Sequence, residues 1–277
     1  MHRISSKAVV SLLLAVVAIL PSCAYQPDPT VTASFTAAPT EEPTETVTEE
    51  ATATEAEPTE TATSEPSSEP TATETAEKYV SPIDFASLKK QNEDIYAWID
   101  IPGTVVSFPI VQHPTNNDFY VRRNVNKEWD AFGCIFTENY NSTDFTDPVT
   151  VIYGHTTGNW TMFGPLQGTY SNSKLFKEDN IIKIYLPDTE YTYEVFAAVE
   201  YSKIHILHYY NFESEIVYIA FFNDIMKVRT ISSNVDRSKK PTYGDKVIIL
   251  STCLYSTNQK RYLVLAKMVN DETETED

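Results

Sequence analysis

A chain of 277 residues with a net charge of −18 and three cysteines is long enough for one or two domains, but its composition is too uneven for all of it to fold. Residues 1–77 carry −11 of that charge and residues 271–277 carry −5, which leaves −2 for the body between them. Such a body has no basic face with which to displace counterions, and this excludes a nucleic-acid partner.

At the N-terminus Arg3 and Lys7 precede an apolar run over residues 8–20. The run is too short to cross a bilayer comfortably as a helix, so residues 1–23 read as an export signal. The run ends in Leu20-Pro21-Ser22-Cys23, which resembles a bacterial lipobox and makes Cys23 the candidate lipidation site. A plain signal peptide or a short uncleaved anchor is the alternative. Residues 24–80 are dominated by Thr, Glu, Pro, Ala and Ser, cannot bury enough apolar surface to offset their ordering entropy, and read as a disordered acidic stalk. Residues 81–270 form the folded body, and residues 271–277 an acidic tail.

In the body, Asp84 can cap a helix whose apolar face includes Phe85, Leu88, Ile95 and Trp98. After Pro102-Gly103 the pattern turns to strands, expected over residues 104–111, 133–137, 149–153, 181–186, 191–201, 247–251 and 261–269. Residues 214–228 are too long and too one-sided for a strand and predict a helix between the late strands. The expected fold is mainly β: a closed barrel with an N-terminal helix and an inserted helix.

Chemistry concentrates at two strand ends. Cys253 follows the apolar run Val247-Ile248-Ile249-Leu250 through Ser251-Thr252, so a rigid strand delivers it to a loop edge, where a nucleophile is useful. Cys134, inside Phe132-Gly133-Cys134-Ile135-Phe136, reads as inert burial. A thiol needs a nearby base or cation to become a thiolate. His155 follows the strand over residues 149–153 through Gly154 and is the candidate base, with a hydrogen-bonded loop histidine as its alternative. His113, His205 and His208 read as surface histidines. Arg261 opens the strand after the Cys253 loop, where its fixed charge could stabilise an oxyanion or hold the substrate backbone; Lys260 is an equal candidate from its position alone. Ser251 and Thr252 are candidate substrate contacts. No metal-ligand cluster or cofactor motif is expected.

Taken together, Tyr96-Ala97-Trp98-Ile99, Ile101-Pro102-Gly103-Thr104, Phe108-Pro109-Ile110-Val111-Gln112, Asp118-Phe119-Tyr120, Tyr153-Gly154-His155-Thr156, Thr161-Met162-Phe163-Gly164-Pro165-Leu166 and Leu250-Ser251-Thr252-Cys253 with Arg261 resemble a sortase of class B. The resemblance implies a sortase-type barrel and a cysteine transpeptidase. Cys253 would attack the Thr carbonyl of an LPXTG-like sorting signal on a surface protein. A thioester would follow, and an amine on a peptidoglycan precursor or a pilin lysine would resolve it. His155 would serve as acid and base and Arg261 as the oxyanion or substrate cation, with the enzyme tethered outside the membrane by an N-terminal lipid or anchor. An L,D-transpeptidase or an exported cysteine peptidase fits less well, because His155 precedes Cys253 by about a hundred residues. The non-enzymatic alternative is a stalked surface lipoprotein or binding module in which Cys253 is buried.

Overall fold

Asp84 starts the first helix, its carboxylate accepting from the Ser87 amide at 3.0 Å; this satisfies one of the donors a helix start leaves unpaired. The computed structural model describes residues 79–178 and 180–271. The expected signal and Cys23, nearly all of the stalk and the tail beyond Asp271 lie outside the described residues.

Helix α1 (Phe85–Gln91) is short and closes at Asn92. The helical spacing that seemed to carry on through Ile95 and Trp98 belongs instead to strand β1 (Ile95–Asp100). The reason is tertiary: β1 pairs antiparallel with β2 (Ser107–Val111) on one side and β5 (Ile181–Tyr185) on the other, and its β-branched and aromatic residues suit a strand buried on both faces. Next come β3 (Ile135–Thr137), β4 (Val149–Tyr153), α2 (Gly164–Ser171) and α3 (Leu175–Glu178). After β5 follow the long β6 (Glu190–Ser202), α4 (Ile206–Tyr209), α5 (Glu215–Ile225), the two-residue β7 (Asn234–Val235), β8 (Val247–Leu254) and β9 (Thr257–Asp271).

The strands are ordered β5-β1-β2-β3-β4-β8-β9-β6, and β5 also pairs with β6. Eight strands therefore close into a barrel, which removes its open edges, while β7 adds to β6 outside the ring. Alternation along the central strands explains their unbroken apolar character. In β8, Ile248 and Leu250 enter one core cluster with Tyr193, Ile152 and Val264. Val247 and Ile249 enter a second with Phe196, Phe221, Phe222 and Ile225, where α5 covers the barrel. Both faces are dry, so period-two patterning carries no polar residues to mark it. A third cluster joins Ile95, Val111, Tyr120, Cys134 and Phe136. It carries the 3-10 turn Phe119–Arg122 toward the end of the barrel where β4 and β8 finish.

Candidate active site

Strands β4 and β8 run parallel with Tyr153 opposite Ser251, and the Gly154 amide donates to the Ser251 carbonyl at 3.2 Å. Extending that register by two residues brings His155 alongside Cys253. Gly154 is required at the bend: a Cβ there would lie 2.6 Å from both the Ile135 and Phe163 side chains, closer than packed atoms tolerate. Strand β8 continues one residue past Cys253, so the cysteine sits within the hairpin and pairs with Arg261 on β9. Arg261 Nη1 donates to Cys253 Sγ at 3.6 Å and to the Asn258 carbonyl at 3.3 Å. Lys260 is ruled out as an equal: its ammonium goes to Glu200 at 3.2 Å, because alternate residues of a strand face opposite ways.

His155, Cys253, Arg261, Ser251 and Thr252 all line one pocket. His155 Nε2 is 2.8 Å from the Val121 carbonyl. Burial pushes the imidazole below its ordinary pKa; the bond to Val121 opposes this, while the charges of Arg122 and Arg261 add to it. The neutral ring, able to take a proton, is the favoured form at neutral pH. Thr252 points away from Cys253 and meets Thr156, the two hydroxyl oxygens lying 2.7 Å apart. Nucleophilic chemistry at Cys253 belongs to its reduced thiol, through the thiolate. Cys134 is free and buried, and burial raises its thiol pKa to about 12, as expected of an inert core residue. Among the described residues no group of His, Cys, Asp or Glu is placed to hold a metal ion.

A family profile described as the sortase domain matches residues 99–269. Sortase B of Staphylococcus aureus is 31% identical over 195 residues, covering 70% of this chain and 77% of the relative. Sortase B of Listeria monocytogenes is 32% identical over 170 residues, covering 61% and 67%. The crystal structure of the Staphylococcus aureus sortase B superposes with a TM-score of 0.60 at 30% identity, over 69% of this chain and 89% of that one. The chain belongs to the sortase family. It is a sortase of class B, and so an enzyme of the cysteine transpeptidase type.

The sortase pocket contains one residue that position along the sequence had put on the surface. His205 Nε2 lies 2.8 Å from Glu138 Oε1, with Glu138 buried and His205 partly buried, and Tyr153 donates to the other Glu138 oxygen at 3.1 Å. His208 stacks on His205 with ring centroids 3.8 Å apart. Asp118 faces the same pocket; burial, then the Glu138 charge, raises its pKa. No local signal marks this wall, because Glu138 and His205 are 67 residues apart. His113, by contrast, behaves as a turn histidine, its Nδ1 accepting from the amides of Thr115 and Asn116.

Proposed function

We propose that this sortase uses the reduced Cys253 thiol to cleave an LPXTG-like sorting signal after its Thr and transfers the acyl chain to an amine. Cys253 Sγ attacks the Thr carbonyl carbon and its proton passes to His155. Arg261 stabilises the developing oxyanion or holds the substrate main chain beside it. Collapse breaks the peptide C–N bond, His155 gives its proton to the departing amine, and a thioester remains. An incoming amine, on a peptidoglycan precursor or a pilin lysine, attacks the thioester and loses its proton to His155. The C–S bond breaks, and Cys253 is regenerated as the new amide forms. Ser251 and Thr252 contribute walls that position the signal.

The reading rests above all on the register that pairs Cys253 with Arg261 while the adjacent parallel strand delivers His155 to the same pocket. In it, the export signal, a lipid on Cys23 or an uncleaved anchor, and the acidic stalk hold the catalytic domain at the outer face of the membrane, where surface proteins bearing sorting signals emerge. The test is intact-mass analysis of the reduced full chain with LPXTG-like and class B-like sorting peptides, with and without an amine, beside Cys253→Ala. The expected result is a peptide joined to the amine and an acyl adduct on the wild type only. Turnover by Cys253→Ala would overturn the mechanism. Failure of the folded, reduced wild type to process any peptide would overturn the function.

A further inference from the structure

We propose that the main-chain carbonyl of Val121 is the third member of the catalytic group, fixing His155 as its Nε2–H tautomer so that Nδ1 exchanges the proton, and that Gly133 is the positioning residue that keeps this carbonyl in place. The inference rests on the transpeptidase chemistry proposed above for its catalytic consequence, though not for the tautomer itself.

A histidine that works as acid and base needs its second nitrogen oriented by a partner, and a carboxylate often fills that role. Here the ring's hydrogen bond goes to the Val121 oxygen at 2.8 Å, and no carboxylate among the described residues takes that place. A carbonyl oxygen can only accept, so the neutral ring must carry its hydrogen on Nε2. The lone pair for the thiol proton is then on Nδ1. A neutral acceptor orients the ring without adding a negative charge beside it, which suits a base kept neutral by burial and by Arg122 and Arg261 against the weaker pull of the Asp130 charge.

The carbonyl belongs to the turn Phe119–Arg122, which is anchored from below. Tyr120 is buried; its hydroxyl donates to Asp94 Oδ2 at 2.5 Å and accepts from Asn92 Nδ2 at 2.8 Å. The Cys134 amide donates to the Tyr120 carbonyl at 3.1 Å. Between these bonds sits Gly133, with φ +56°, where a Cβ would fall 2.5 Å from both the Tyr120 and the Val121 oxygens. Only glycine allows the chain entering β3 to pass this closely beneath the two carbonyls. Any larger residue must displace the oxygen to which His155 donates.

The test uses the reduced full chain labelled with nitrogen-15 at histidine, with the His155 resonances assigned by their absence from His155→Gln. At a pH where the ring is neutral, Nε2 should give the protonated-nitrogen shift and Nδ1 the unprotonated one. A protonated Nδ1 would overturn the proposal whatever the variants do. In Gly133→Ala, kcat should fall about tenfold or more while KM changes less than about twofold. The pH–rate limb belonging to His155 should also move to lower pH, because the lost bond opposes the burial and the Arg122 and Arg261 charges more strongly than the Asp130 charge that remains. A folded Gly133→Ala enzyme with wild-type kcat and an unmoved limb would overturn the positioning role. If the wild type turned over no peptide, the proposed function would fail while the tautomer was still read from the spectrum.

Discussion

Thr156 and Cys253 are joined across 97 residues of sequence by a hydrogen bond of 2.6 Å, from the Thr156 hydroxyl to the Cys253 carbonyl. With that proton committed, the bond at 2.7 Å between Thr156 and Thr252 must be donated by Thr252. The residue after the proposed base therefore clamps the peptide unit of the proposed nucleophile. A partly buried carbonyl left without its donor costs about 1–3 kcal/mol. Thr156→Val should accordingly lower kcat/KM by about 10- to 100-fold, with Thr156→Ser close to wild type. The comparison is read from peptide transpeptidation rates at matched folded fractions.

Arg261 and Lys260 separate a cation facing the pocket from one paired outside it. Arg261 reaches both Cys253 and the Asn258 carbonyl through Nη1, whereas Lys260 is engaged by Glu200. A lysine is shorter and lacks the guanidinium's further planar donors for a substrate oxygen. Arg261→Lys should cost about 10²- to 10³-fold in kcat, the scale of one lost oxyanion donor, while Lys260→Ala stays within about twofold, as exposed pairs contribute little. Steady-state kinetics with one sorting peptide would check both, and equal losses would contradict the distinction.

That the proposed trio shares one pocket was legible because each member is tied to a strand end by a short stretch of chain: Gly154 before His155, Ser251-Thr252 before Cys253, and a tight hairpin before Arg261. What the sequence hid was long-range. The spacing of Phe85, Leu88, Ile95 and Trp98 fits a helix, and only pairing with β2 and β5 turns the second half into a strand. His205 looks like a polar loop residue until the barrel brings Glu138 to it. Likewise Gly133 could be read as a small residue in an apolar run, but not as the neighbour of a carbonyl on a different turn.

The helix α5 predicts where stability resides. Phe222 is fully buried, packed edge-on against Phe196 of β6 and against Phe221 and Tyr218 of its own helix. Phe222→Ala removes a large ring from a closed cluster and should cost about 3–5 kcal/mol. A lowered urea midpoint with an unchanged denaturant slope is the expected signature. Ile216 is 81% exposed on the same helix, so Ile216→Ala should shift the midpoint little.

The depressed pKa of His155 makes folding stability depend on pH, and its sign can be worked out. Burial lowers the folded value below the ordinary imidazole value of 6.5, so between the two values the unfolded chain binds a proton that the folded one does not. Stability must then rise with pH in that window. The contribution is fully present above 6.5, and it is lost as pH falls through the folded value and the buried ring is forced to charge. Urea midpoints of the reduced wild type should fall as the pH is lowered from neutrality through the ordinary imidazole range, and the fall should be shallower in His155→Gln, which has no proton to take up there. His208, also depressed by burial and by His205, contributes in the same direction, so a residual slope should remain in the variant. A wild-type slope no steeper than that of His155→Gln would mean that the ring titrates as freely in the folded protein as in the unfolded chain.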